Sequence, residues 1–170
     1  MDLYQFVTVF DDFPKKGVKF KDISPLLSNF KALNFAIHTL AEQLEDKHIQ
    51  KVVGIESRGF LLGILLAQKL EAGFVMVRKS GKLPGETTKQ TYELEYGYDA
   101  LEIQDGIIGA NENVVIHDDV LATGGTALAA AELVEKVGAN IIEFNFLMEL
   151  SALAGAERIK EYNYRTLLKY

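Results

Sequence analysis

An apolar run that stops at two adjacent carboxylates, then turns through glycines into an alanine-rich segment, leaves a chain little choice of fold. Residues 114–126 read Val-Val-Ile-His-Asp-Asp-Val-Leu-Ala-Thr-Gly-Gly-Thr. Val114–His117 has the character of a buried β-strand, and Asp118 and Asp119 stand at its carboxyl end. Helical composition resumes at Ala127, so the free amides of Thr123–Thr126 sit at a helix N-terminus, a ready anion site. Gly124 and Gly125 allow the backbone to close on such an anion, and the helix dipole adds roughly half a positive charge. Carboxylates accept from sugar hydroxyls and bare amides hold phosphate. One segment therefore fits the two ends of a ribose 5-phosphate.

The rest of the chain reads as further strand–helix units. Leu33, Ala36, Ile37, Leu40, Ala41 and Leu44 recur at helical spacing, which predicts an amphipathic helix over 32–47. Lys51–Glu56 reads as a short buried strand, Gly59–Ala72 as a largely apolar helix and Phe74–Lys79 as the next strand. A polar loop with Gly81, Pro84 and Gly85 covers 80–90. Thr91–Tyr96 and Asp99–Gln104 flank Gly97 as an antiparallel hairpin. The helix Ala127–Val137 closes at Gly138, and Asn140–Leu147 is another strand. Ser151 can cap a short helix through Ile159, and Tyr164–Leu168 reads as a last edge strand. Residues 1–30 read as irregular, with phenylalanines spread around the Pro14–Gly17 turn. The expectation is one α/β domain over 1–170, a mostly parallel sheet flanked by helices and interrupted by the hairpin. Ligand sites of such sheets lie beyond the carboxyl ends of the strands. Glu56-Ser57-Arg58 and Asp118-Asp119 both fall there and converge on one crevice.

Composition excludes several alternatives. The apolar fraction of 48% and the charged fraction of 25% are ordinary for a globular domain with a full core. The net charge of −6 argues against a broad nucleic-acid footprint, so an anionic ligand must be held by local basic groups. The absence of cysteine removes disulfides, thiolate catalysis and cysteine-ligated zinc. His38, His48 and His117 show no metal-ligand spacing. The first residues lack signal-peptide regions, and the longest strongly apolar run, Phe60–Ala67, is far too short to span a bilayer. The expected setting is the cytoplasm, with no membrane and no nucleic-acid partner.

The 114–126 segment resembles the phosphoribosyl-diphosphate signature of the type I phosphoribosyltransferases: an apolar strand, two acids and a Thr-Gly-Gly-Thr turn. Other segments narrow the resemblance to the adenine phosphoribosyltransferase family. Phe13-Pro14 followed by Gly17-Val18-Lys19-Phe20-Lys21-Asp22-Ile23-Ser24-Pro25-Leu26-Leu27 is similar to its N-terminal, base-covering segment. Gly54-Ile55-Glu56-Ser57-Arg58-Gly59-Phe60 resembles its diphosphate loop, and Arg78–Gly85 its mobile loop. Tyr92-Glu93-Leu94-Glu95-Tyr96-Gly97, with Leu101-Glu102-Ile103-Gln104, resembles its catalytic hairpin. The likeness covers roughly residues 10–168, with the motifs in the family's order.

That resemblance implies transfer of a phosphoribosyl group from 5-phosphoribosyl 1-diphosphate to adenine, giving AMP and diphosphate in purine salvage. It also assigns roles. Asp118 and Asp119 would bind the ribose 2′- and 3′-hydroxyls, and Ala122, Thr123, Gly124, Gly125 and Thr126 would wrap the 5′-phosphate. Arg58, whose planar fork suits phosphate oxygens, would bind diphosphate; the lesser alternative is a surface ion pair at a helix start. A non-proline cis peptide can occur in the family's diphosphate loop, and here it would join Glu56 and Ser57. Lys79 and Lys82 look like a solvated basic loop by type, whereas the family motif brings them to the diphosphate as the loop closes and excludes water. Glu95 matches the hairpin acid, with two fitting roles: proton exchange with the purine, or stabilisation of positive charge on the sugar. Pattern alone would make it one acid of an exposed strand face. Tyr96 would help position the loop or the diphosphate. Phe20 and Val120 would sandwich the adenine, although Phe20 as ordinary core fits its type nearly as well.

Mg²⁺ is the implied cofactor, bound mainly through substrate oxygens, with few or no direct protein–metal bonds. The family further implies a homodimer, with Lys21 at a basic position that can act across the interface. His117 stands where the signature usually has an apolar residue and reads as a packed histidine rather than a catalytic one. Lys19 replaces an apolar residue of some relatives, which touches the shape of the base-covering flap. Two other readings stay open: another purine phosphoribosyltransferase using hypoxanthine, guanine or xanthine, and a non-catalytic phosphoribosyl-diphosphate sensor. The latter needs a nucleic-acid surface that this acidic chain does not display.

Overall fold

Alternate residues of the central strands face opposite ways, and both faces of the sheet are covered. In this computed structural model, which describes residues 1–93 and 97–170, the fold begins with a 3-10 turn at Leu3–Phe6. A two-stranded antiparallel hairpin follows, β1 (Thr8–Asp11) and β2 (Lys19–Asp22), and then a short helix α1 (Ser24–Ser28). Residues 1–30 are thus more ordered than their composition suggests.

The main body alternates helices and strands. These are α2 (Phe30–Ala41), β3 (Lys51–Ile55), α3 (Gly59–Lys69), β4 (Gly73–Lys79), β5 (Thr87–Glu93), β6 (Tyr98–Gln104), β7 (Asn113–Leu121), α4 (Gly125–Lys136), β8 (Asn140–Glu149), α5 (Gly155–Arg158) and β9 (Tyr164–Lys169). Strands β3 to β9 form one seven-stranded sheet in the order β5-β6-β4-β3-β7-β8-β9. The β4-β3-β7-β8-β9 neighbours are parallel, and β6 pairs antiparallel with both β4 and β5. The expected fold class is therefore correct, including the edge position of Tyr164–Lys169.

Several boundaries differ from the sequence reading for local reasons. Helix α2 starts at Phe30 because the Asn29 side chain accepts from the Ala32 amide at 3.0 Å. It stops at Ala41, and only a 3-10 turn over Glu45–Lys47 continues toward His48, whose φ is +50°. Strand β5 begins at Thr87, inside the expected loop, because Thr87 already pairs with Gln104. Strand β7 runs on to Leu121 because β8 offers partners beyond the acids, Met148 for Val120 and Glu149 for Leu121. Asp118 and Asp119 therefore lie within the last part of a strand, not beyond it. Ser151 caps no helix; its hydroxyl lies 3.3 Å from Glu149, a 3-10 turn covers Ser151–Leu153, and α5 begins only at Gly155.

Two apolar layers hold the sheet. On one face Val52 and Val115 pack with Leu26, Ile37, Leu40, Leu62 and Leu66 from the first three helices. On the other, Val53, Ile55, Ile116, Phe144 and Phe146 pack with Ala127, Ala130, Ala131 and Leu133 of α4. The alanines of α4 let that helix lie close to the strands. Among the described residues no helix is long and apolar enough to cross a membrane.

The β3–α3 connection is tight because Phe74 fills the space that side chains at two glycines would take. A Cβ on Gly54 would stand 2.5 Å from Phe74 Cζ, and one on Gly63 2.9 Å from Phe74 Cε2. Gly54→Ala forces the partly buried Phe74 ring to move and is expected to destabilise the fold by about 1–3 kcal/mol. Urea denaturation, read as a fall in midpoint at unchanged slope, checks this.

Candidate active site

The crevice exists because two neighbouring parallel strands differ in length. Pairing of β3 with β7 ends at Gly54 against His117, while β7 continues beside β8 as far as Leu121. The side of β7 that β3 leaves open is met by the loop Glu56-Ser57-Arg58 and the start of α3. The Glu56–Ser57 peptide is cis, as the resemblance implies. Gly59 is required at the helix start, since a Cβ there would stand 2.9 Å from both Asp118 Oδ1 and the His117 carbonyl oxygen. Arg58 Nε then lies 2.9 Å from Asp119 Oδ2. The two motifs predicted to converge do meet, and Arg58 is ion-paired within the site rather than on an outer surface.

Asp119 is buried, Asp118 partly so. Burial pushes the Asp118 carboxyl well above the usual carboxylate range, and the neighbouring Asp119 adds repulsion. Burial also raises Asp119, with the Arg58 guanidinium opposing it. Asp118 Oδ1 accepts the Asp119 amide at 2.8 Å. Two adjacent carboxyls so placed gain from any ligand that brings hydroxyl donors or positive charge.

Beyond the acids the chain turns sharply. Asp118, Val120, Leu121, Ala122, Thr123, Gly124, Thr126, Ala127 and Phe146 line a pocket of about 70 Å³. Helix α4 starts at Gly125 with no side-chain cap, so its first amides remain available to a ligand. Gly124 has φ +80° and touches Gly155: a Cβ on Gly124 would stand 2.5 Å from the Gly155 carbonyl oxygen. A Cβ on Gly155 would collide with the Ala122 carbonyl oxygen. The start of α5 thus braces the turn from behind, a support that the sequence reading did not identify.

Basic residues line the crevice opposite, each held by a carboxylate. Lys82 Nζ lies 2.7 Å from Glu56 Oε1, and Arg78 Nε 3.1 Å from Glu56 Oε2, which also accepts the Lys79 amide at 3.0 Å. Lys79 Nζ lies 2.9 Å from Asp99 Oδ2. Burial alone would raise the Glu56 carboxyl, but donation from Lys82, Arg78 and the Lys79 amide holds it down at about 2. Glu56 and Arg78 as a charge hub were not foreseen. The available signal was an acid at a strand end followed, one unit later, by a basic strand end.

On the remaining side, the Phe20 ring lies beneath Arg58, with Cζ 5.3 Å from the ring centroid, and meets Phe13 edge-on at 5.2 Å. The N-terminal hairpin is thereby tied to the crevice, and Val120 lies partly buried on β7 at the same end. Lys21 Nζ stands 4.1 Å from the centroid of the Tyr170 ring. Glu95 and Tyr96 lie outside the described residues. His117 is fully buried, with Nδ1 3.2 Å from Asn145 Oδ1, and burial lowers its pKa to about 4. It is a packed neutral histidine.

The depressed Glu56 carboxyl links stability to acid. Its contribution is complete above its ordinary value of 4.5 and is lost as pH falls toward about 2. Glu56→Gln is expected to lower stability at neutral pH and to flatten the wild-type loss between those limits. Denaturant midpoints measured from pH 6 to about 2.5 check it.

Residues 26–169 match the family model of the phosphoribosyl transferase domain. The adenine phosphoribosyltransferase of Christiangramia forsetii is 51% identical over 170 residues, covering 100% of this chain and 99% of that protein. The crystal structure of the adenine phosphoribosyltransferase of Rhodothermus marinus superposes with a TM-score of 0.94 at 47% identity, covering 99% of this chain and 96% of that one. The Saccharomyces cerevisiae enzyme, solved with an imino-altritol bisphosphate and adenine, gives 0.90 at 45% identity, covering 98% and 95%. The chain belongs to the phosphoribosyltransferase family, among its adenine phosphoribosyltransferases.

Proposed function

We propose that this chain transfers the 5-phosphoribosyl group of 5-phosphoribosyl 1-diphosphate to adenine, releasing AMP and diphosphate. The meeting of Arg58 with Asp119, 2.9 Å apart between the diphosphate loop and the sugar-phosphate segment, carries the reading. It brings groups for the leaving group, the sugar and the 5′-phosphate to one crevice. The solved yeast relative with adenine bound supports the choice of base.

In this reading Asp118 and Asp119 accept from the ribose 2′- and 3′-hydroxyls, which relieves the repulsion between them. The amides of Ala122–Thr126 hold the 5′-phosphate at the start of α4. Arg58, Lys79 and Lys82 take the diphosphate, the lysines exchanging Glu56 and Asp99 for phosphate oxygens. Phe20 and Val120 flank the purine. Glu95 either exchanges a proton with the purine or stabilises positive charge at the sugar, and Tyr96 helps to position the loop or the diphosphate. Bond breaking at ribose C1 leaves an oxocarbenium-like sugar, so electrostatic stabilisation supplies much of the rate enhancement.

Mg²⁺ fits as a substrate-borne ion. Among the described residues no three carboxylate or histidine side chains converge, but the adjacent Asp118 and Asp119 can meet a hydrated ion on the sugar hydroxyls. Such an ion would supply positive charge to neutralise the leaving diphosphate. We assign the chain to the cytoplasm and to a homodimer; supporting the latter, Phe30, Leu61 and Ile64 on α2 and α3 are 79%, 46% and 51% exposed.

Incubation with Mg²⁺, 5-phosphoribosyl 1-diphosphate and each purine in turn tests the function. AMP should form fastest; faster formation of IMP, GMP or XMP would replace adenine as the substrate. Glu95→Gln should lower kcat far more than it raises the KM for 5-phosphoribosyl 1-diphosphate, by about tenfold or more. Unchanged turnover would make the acid structural. Asp118→Asn should raise the Tm of the ligand-free protein, by removing buried like-charge repulsion, while cutting turnover by about tenfold or more. Calorimetry alongside the AMP assay reads both.

A further inference from the structure

Glu102 belongs to none of the ligand groups above, yet it is 1% exposed on β6 and gathers the whole Ser80–Thr87 loop around itself. Its Oε1 accepts the amides of Gly81, Lys82 and Leu83 at 2.8, 3.1 and 3.2 Å. Its Oε2 accepts from the Ser80 and Thr87 hydroxyls at 3.5 and 3.4 Å and pairs with Lys89 Nζ at 3.2 Å. Burial would raise this carboxyl, but the backbone donors and Lys89 hold it below its ordinary value. Three successive amides pointed at one buried carboxylate form a concave anion nest, here filled by the protein's own side chain.

The nest has a directional consequence. Glu102 fixes the backbone of Lys82 at its amide, and Glu56 receives the Lys82 ammonium 2.7 Å away at the diphosphate loop. Arg78 closes the same unit by donating through Nη1 to the Lys82 carbonyl oxygen at 3.1 Å. A lysine side chain is long and rotamer-rich, so delivering its charge to one place requires an anchored origin. Glu102 supplies that anchor from the neighbouring strand β6, where it is the register partner of Arg78.

We propose that Glu102 is a positioning residue for the diphosphate end of the site: it sets the loop so that Lys82 meets 5-phosphoribosyl 1-diphosphate, without itself touching substrate. The proposal rests on the phosphoribosyl-transfer reading. The carboxylate's charge and its reach to the loop amides are both operative: a glutamine side chain can accept from the same amides but loses the Lys89 pair and the strength of charge-assisted bonds, and a shorter acid keeps the charge but falls short of the amides.

Steady-state kinetics of the wild type, Glu102→Gln, Lys82→Met and the double variant test it, with Tm measured for each. Glu102→Gln should raise the KM for 5-phosphoribosyl 1-diphosphate by about tenfold and that for adenine by less than about twofold. In the Lys82→Met background the same substitution should cost less than about threefold, because both changes remove one delivered charge. Equal rises in both KM values, or the same cost with and without Lys82, would reduce Glu102 to a plain core residue and overturn the proposal. If Glu102→Gln does not fold, Glu102→Asp carries the test. It keeps the charge one methylene short of the amides and should show the same split at about threefold. An active Glu102→Asp with both KM values unchanged overturns the proposal. A wild type that makes no AMP would instead sink the transfer reading on which the proposal stands.

Discussion

The functional end of this molecule depends on β7 extending past β3. In a parallel sheet each strand satisfies its neighbour, and a strand that outlasts one neighbour exposes backbone and side chains on that side only. Here β8 supports β7 to Leu121, while β3 pairing stops at His117. The resulting notch is where Asp118 and Asp119 can face a ligand yet remain mostly out of water. It is also where the Glu56–Arg58 loop and the start of α3 must fit, which Gly59 permits. The placement of the acids, the guanidinium beside them and the glycine-rich turn all follow from one inequality of strand length.

Around the notch the charges are arranged as ion pairs. Arg58 rests on Asp119, Lys82 and Arg78 on Glu56, and Lys79 on Asp99. A cationic pocket without counter-ions would destabilise the ligand-free fold, since like charges at close range repel strongly where water is scarce. These carboxylates keep the basic groups close to the crevice before any substrate arrives. The guanidinium above Phe20 shows the same economy, since Arg58 links the acid, the aromatic ring and the crevice at once.

Much of this was legible in the residues. The Val114–Thr126 run announced a strand, two acids and a helix start, and the structure keeps that order with the strand four residues longer at its carboxyl end. That extension is a property of the pairing partner, β8, which no local pattern encodes. Glu102 was hidden for a different reason. In Leu101-Glu102-Ile103, alternation puts the two apolar residues inward and the acid outward, toward solvent. The acid does point away from the apolar layer, but the Ser80–Thr87 loop lies over it, and all three residues are buried. A loop's destination depends on contacts across the sheet, so the role of Glu102 could not be inferred from spacing. The strands within residues 1–30 leave little periodicity to detect because they are short and contain no buried residue.

Connections at the rim of an α/β sheet usually tolerate changes in length. The segment between β8 and α5 does not have that freedom. Gly155 touches Gly124 and Ala122 at backbone range, so the number of residues separating Glu149 from Gly155 sets where the glycine-rich turn comes to rest. One residue more or fewer in a stretch that carries no ligand group would shift the amides at the head of α4. In this fold the length of a silent connection is itself part of the binding specification.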